Sequence, residues 1–78
     1  MTSDKVTSEL KKHIPQITEI TDMHIWEITS GMYSFTAHIQ ISKTDHEKSS
    51  QILNKINKLL NEEYGIEHIT VQIESTIQ

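Results

Sequence analysis

The stretch HIWEITSGMYSFTAHI, from His24 to Ile39, decides the fold because it predicts two strands joined by a tight turn. In its second half apolar and polar side chains alternate, which is typical of a strand with one buried face. The turn is expected at Ser30-Gly31-Met32, since glycine adopts positive φ angles without a steric penalty. If the turn is centred on Gly31, His24 and His38 face each other with Cβ atoms about 5 Å apart. Two imidazoles at that separation could share one metal ion.

Working outward from this hairpin, local signals mark the ends of two helices. Ser3 is expected to cap the first helix and Pro15 to end it. Thr44 and Glu47 have the spacing of a capping box at the start of a longer helix, which Gly65 ends. The predicted elements are a helix over residues 3–14, strands over 17–29 and 33–42, a helix over 45–64 and a strand over 66–74. A bend near Thr21-Asp22 is expected within the first strand.

The order α-β-β-α-β indicates the architecture. A crossover through the long helix makes the second and third strands parallel, and both helices then lie on one face of the sheet. We therefore expect an α+β open sandwich with a three-stranded mixed sheet, forming a single domain over residues 1–78.

Alternation also divides the sheet into two faces. The aliphatic face must meet the helices, and it carries Phe35, Ala37, Ile39, Ile41, Ile69, Val71 and Ile73. The face without helices carries His24, Trp26, His38, His68 and Glu74. This face is either a solvated surface, with Trp26 shielding the hairpin or forming a subunit contact, or a site for a divalent metal ion. His68 and Glu74 are about 20 Å apart along one strand, so His38 pairs with one of them or a second subunit supplies ligands.

The composition of the chain limits the kinds of function that it can have. The 78 residues contain no cysteine, so a metal would be held by His, Asp or Glu. A net charge of −4 argues against a nucleic-acid partner.

No apolar run reaches the ~20 residues of a membrane helix, and the polar N-terminus is not a signal peptide, so we expect a cytoplasmic location. An enzyme is not expected, because no catalytic Cys, no Ser–His–Asp arrangement and no glycine-rich phosphate loop is present.

Two segments that flank a long amphipathic helix resemble one family. They are DMHIWEITSGMYSFTAHIQI and YGIEHITVQIE. They are similar to the C-terminal cytosolic domain of the cation diffusion facilitator transporters, the zinc-type cation efflux family, over Val6 to Glu74. The resemblance implies a ferredoxin-like, metallochaperone-like fold. It also implies a V-shaped homodimer below a transmembrane domain, tightened by a divalent metal ion, often Zn²⁺.

The resemblance also implies which residues bind the metal. His38 and Glu74 match metal-binding positions of several members, and His68 and His24 match histidines of the same motifs. The chain departs from the pattern at two positions. Many members have a histidine where this chain has Thr21, and some members have a second ligand where this chain has Gln72.

These observations favour a metal-sensing homodimerisation domain, interpreted as excised from a transporter rather than naturally free-standing. Its expected metal ligands are His38, Glu74, His24 and His68. The alternatives are a metal-independent dimerisation module, with Trp26 at the interface, and a free-standing domain that binds a small ligand.

Overall fold

The structure is a computed structural model that describes residues 2–75, so residues 1 and 76–78 of the predicted domain lie outside the described residues. The elements are α1 (Ser3–His13), β1 (Ile17–Thr29), β2 (Met32–Ile41), a 3-10 helix (Lys43–Lys48), α2 (Ser49–Tyr64) and β3 (Ile66–Ser75). The sheet has the order β1-β2-β3, with β1 antiparallel and β3 parallel to β2. The predicted α+β fold with a mixed three-stranded sheet is confirmed.

The helix α1 begins at residue 3 as predicted, but its capping residue and its last residue each differ from the prediction by one position. Thr2 is the N-cap instead of Ser3, because Thr2 has the extended backbone that a cap requires and its hydroxyl accepts a 3.2 Å hydrogen bond from the Lys5 amide. The helix ends at His13 and not at residue 14, since Ile14 precedes Pro15 and leaves the helical conformation.

The second helix also begins differently from the prediction. The chain forms a 3-10 helix over Lys43–Lys48 before α2 starts at Ser49. Ser42, and not Thr44, caps this segment, and its hydroxyl accepts a 3.3 Å hydrogen bond from the Thr44 amide. All six residues of the 3-10 helix are polar and none is buried, so no core packing favours the wider α-helical turn there.

Gly65 ends α2 in the left-handed region as predicted, with φ of 66°. An added Cβ at Gly65 would meet no atom within 4 Å, so a substitution there changes only the backbone energy. We expect Gly65→Ala to lower the free energy of unfolding by about 1–2 kcal/mol, measured by urea denaturation. Gly65→Asn is the control, because asparagine tolerates this conformation and should cost less. Equal stability of Gly65→Ala and the wild type would contradict this.

One side of the sheet holds the core. The apolar side chains of β2 at positions 35, 37, 39 and 41 are buried together with residues of α1 and α2. The buried helical residues are Val6, Leu10, Ile52, Ile56 and Leu60. Residues of β3 at positions 69, 71 and 73 pack against the same cluster. The predicted division of the sheet into an apolar and a polar face is thus confirmed.

The edge strand β1 is irregular, with three register shifts against β2 that each place an extra residue in β1. One lies between Thr21 and His24, where Asp22 has a φ of 52°. This is the bend predicted near Thr21-Asp22. Such β-bulges re-aim side chains and increase the local twist of a strand. The bulge at Asp22 therefore decides which β1 residues lie beside His38.

Candidate metal site

The register places the polar side chains of the helix-free face in four rows, numbered from the hairpin turn. Residues paired across neighbouring strands share one face of a sheet. The rows, each in the order β1, β2, β3, are Trp26–Ser34–His68, His24–Thr36–Thr70, Thr21–His38–Gln72 and Glu19–Gln40–Glu74. Each of the four predicted ligands therefore lies in one of these rows, which gives their relative positions on the sheet.

His38 and Glu74 come into direct contact between the third and fourth rows. The His38 Nδ1 atom lies 2.9 Å from the Glu74 Oε2 atom. Their side chains are 42% and 34% exposed, so water and ions can reach them. A neutral imidazole that donates its Nδ1–H to a carboxylate leaves Nε2 free as a ligand, the arrangement common beside metal ions in proteins.

His24 does not face His38, and the expectation from the turn was wrong. His24 pairs with Thr36, and Thr21 is the residue opposite His38. Two features cause this shift. The turn contains only residues 30 and 31, so Thr29 pairs with Met32, and β1 has an extra residue between positions 27 and 29.

His24 and His68 lie in the rows nearest the turn, away from the His38–Glu74 pair. The His24 ring stacks on Trp26, with the ring centroids 4.8 Å apart and the planes at 25°. His68 is in register with Ser34, whose hydroxyl donates a 3.3 Å hydrogen bond to the His68 carbonyl oxygen. Of the four predicted ligands, the structure therefore brings together only His38 and Glu74.

A shallow hollow of about 170 Å³ lies beside His38. It is lined by Asp22, Thr36, Ala37, His38, Thr70 and Gln72. Asp22 was not among the predicted site residues. The signal for it was the predicted bend at Thr21-Asp22, since a bulge residue can turn its side chain out of the regular alternation.

Within residues 2–75, no three His, Asp or Glu side chains are grouped closely enough to hold a metal ion. A zinc site ordinarily has four ligands. His38 and Glu74 would supply at most half of such a set, and the remaining positions would fall to water or to a second copy of the chain.

Charge is distributed unequally between the sheet and the helices. The strands carry five carboxylates, three in β1 and two in β3, and no lysine or arginine. All seven lysines lie in the helices, including the 3-10 helix. An array of one sign raises the local concentration of the opposite charge, so the sheet attracts cations.

Two large apolar side chains of the described residues are exposed, Trp26 by 38% and Ile28 by 52%. Both lie near the hairpin turn, and Trp26 is on the helix-free face. In the part of the chain described, neither helix has the length and apolarity needed to cross a membrane.

The chain resembles known proteins over nearly its whole length. Residues 1–76 match the family described as "Cation efflux protein, cytoplasmic domain". A protein of Dictyostelium discoideum named as a probable zinc transporter is 40% identical over 73 residues, 90% of this chain and 13% of that protein. The metal cation efflux system protein CzcD of Cupriavidus metallidurans is 31% identical over 70 residues, 86% of this chain and 22% of that protein. The chain thus spans less than a quarter of the length of these relatives.

Solved structures share the same fold. The metal-bound C-terminal domain of CzcD from Cupriavidus metallidurans superposes with a TM-score of 0.82 at 26% identity, covering 95% of this chain and 99% of that chain. The metal-bound C-terminal domain of CzcD from Thermotoga maritima has a TM-score of 0.76 at 15% identity, with 100% of both chains covered. At 15% identity the second likeness concerns the fold alone.

Proposed function

The chain belongs to the family of cytoplasmic domains of cation efflux proteins, and from that premise we propose that it senses a divalent metal ion and dimerises in response. The family is one of transport proteins and not of classical enzymes. The contact between His38 and Glu74 supports the proposal most directly, because it pairs an imidazole with a carboxylate on an exposed, cation-attracting sheet. Zn²⁺ is the ion we propose, since it accepts both ligand types.

A second copy of the chain and the transmembrane part of a transporter are the proposed partners. The half-set of ligands on one chain would be completed when two helix-free faces come together around the ion. In CzcD the matching domain is the C-terminal one. By analogy, we propose that metal binding to this chain reports the cytoplasmic concentration of the transported ion to a membrane-embedded transporter.

Zinc titration by calorimetry, with light scattering on the same samples, tests the proposal. Chain stripped of metal with EDTA should bind Zn²⁺ to saturation with a fixed stoichiometry, and the mean mass should shift toward that of a dimer. Metal that binds one state better than another must shift the equilibrium toward that state. A flat titration would exclude metal sensing.

The second candidate is a metal-independent dimerisation module, favoured by the exposure of Trp26 and Ile28. Tryptophan is enriched at interfaces, where it often contributes most of the affinity. In this case the mass measured by light scattering would be that of a dimer with and without Zn²⁺. Trp26→Ala would then dissociate it, with Trp26→Phe as the conservative control.

A further inference from the structure

We propose that the hairpin tip, residues 26–33 at the end of β1 and the start of β2, inserts its exposed apolar side chains into the interfacial layer of a zwitterionic lipid bilayer. The inference rests on the proposed function in one respect. The membrane-embedded part of the transporter would join the domain at the start of α1, as in CzcD, where the matching domain is the C-terminal one. Contact of the tip with the bilayer would give the domain a second point of attachment.

The hairpin tip lies on the same side of the molecule as the start of α1. The chain turns tightly between Ile14 and Ile17, so β1 runs back along α1, and the Thr7 hydroxyl donates a 3.4 Å hydrogen bond to the Met23 sulfur. From Met23 the strand continues for six residues to Thr29, about 20 Å. Thr7 is four residues from the first residue of α1, which is about 6 Å along the helix. The tip therefore extends beyond α1, on the side where the membrane part would join.

The tip carries the two large apolar side chains that are exposed among the described residues. Trp26 is 38% and Ile28 is 52% exposed, and Met32 and Tyr33 beside them are half-buried. The His24 ring stacks on Trp26 with 4.8 Å between the centroids, which holds the indole in one orientation before any contact forms. Tryptophan is enriched at membrane–water interfaces because its ring is apolar and its N–H is polar. A side chain that is already ordered loses little conformational entropy when it inserts.

The charges of the hairpin favour a zwitterionic surface over an anionic one. Glu27 is the one charged residue among residues 26–33, and its Oε2 atom accepts a 3.0 Å hydrogen bond from the Gly31 amide across the turn. The three strands hold five carboxylates and no lysine or arginine. Attraction to anionic lipids depends on clustered Lys and Arg residues. The tip therefore offers a bilayer its apolar surface and no positive charge.

The small size of the apolar patch favours a bilayer over a second copy of the chain as its partner. Stable protein interfaces bury about 1,200 Å² or more in total, which is more than two side chains supply. The same patch is too small to hold the free chain on a membrane, since even a single acyl chain gives only marginal binding. Attachment beside the bilayer removes this limit, because a linked site experiences a high effective concentration. The contact would then fix the angle between the sheet and the membrane.

The test follows the fluorescence of Trp26, the only tryptophan, in a chain that has no cysteine of its own. A cysteine added before residue 1 is coupled to a maleimide-bearing lipid in phosphatidylcholine vesicles that contain brominated acyl chains, with EDTA present. We expect the Trp26 emission to shift to the blue and to be quenched by the bromine atoms. In the control the cysteine is added after residue 78. Because β3 ends at Ser75, at the far end of the sheet from the tip, this attachment should leave Trp26 unquenched.

Ile28→Ser tests the second apolar side chain without removing the fluorescent probe. In the chain attached before residue 1, it should lower the ratio of inserted to free tip about 3- to 5-fold, because a half-exposed isoleucine no longer enters the bilayer. Thr29→Ser is the matched variant, since it changes the next exposed residue by one methyl group and should leave the quenching unchanged. Vesicles that also contain anionic phosphatidylglycerol should give weaker quenching.

No quenching with either attachment, or equal quenching with both, would overturn the inference. Stronger quenching by anionic vesicles would also overturn it, because the lysines of the helices would then hold the domain on the membrane. A blue-shifted emission in the absence of lipid would overturn it as well, since a second copy would then cover Trp26. Zinc titration of the free chain tests the proposed function separately. Zinc binding without quenching would refute the inference alone, and quenching without zinc binding would refute metal sensing alone.

Discussion

Replacing His38 with alanine is expected to weaken zinc binding by about 100-fold or more, while the domain stays folded. His38 supplies the nitrogen of the pair with Glu74, and its loss leaves a single carboxylate. Since the His38 side chain is 42% exposed, its truncation opens no cavity in the core. The free energy of unfolding should change by no more than about 0.5 kcal/mol. Calorimetry gives the affinity and thermal denaturation followed by circular dichroism gives the stability.

His13→Ala is the matched control for this prediction. The His13 side chain is 52% exposed, close to the exposure of His38, but it lies at the end of α1 on the helical side of the sheet. Its substitution should leave zinc affinity unchanged. Unchanged affinity in His38→Ala would place the metal elsewhere, and an equal loss in both variants would indicate binding by scattered surface histidines.

The second large effect is a gain of affinity in Thr21→His. The register sets residue 21 directly opposite His38, where Cβ atoms of paired residues are about 5 Å apart. A new imidazole there adds a third protein ligand beside His38 and Glu74. We expect zinc to bind roughly 10- to 100-fold tighter, as measured by calorimetric competition with a chelator of known affinity.

Thr29→His provides the comparison for Thr21→His, because it makes the same change in the same strand, near the turn and far from His38. Only the substitution at position 21 should tighten binding. If both variants gained equally, the added imidazole would act as a general surface ligand, and the register that pairs residue 21 with His38 would not be responsible.

The face on which each strand residue lies was predictable, because alternation follows directly from backbone geometry. Phe35 and Ile39 were expected in the core and His38 on the opposite face, and each is found there. That parity survives any change in the pairing of β2 with its neighbours, provided that β2 itself is regular. The fold could therefore be predicted from short apolar patterns and the positions of the two helices.

Pairing across the hairpin could not be predicted in the same way. Each extra residue in β1 moves every pair that lies farther from the turn, and the bend predicted near Thr21-Asp22 gave neither the number of extra residues nor their positions. His24 was therefore placed opposite His38, although its partner is Thr36. The contact of His38 with Glu74 depends on the register of β2 and β3 alone, and it was one of the alternatives that the sequence left open.

The irregular course of β1 also affects how the protein behaves in concentrated solution. An edge strand can recruit strands from other molecules and so start fibril growth. The interruptions after positions 17, 21 and 27 break the regular ladder that an incoming strand would need. At the opposite edge, β3 is regular from His68 onward but carries carboxylates at Glu67 and Glu74. Stacking of like charges would repel identical strands there, so both edges of the sheet resist amyloid-like polymerisation.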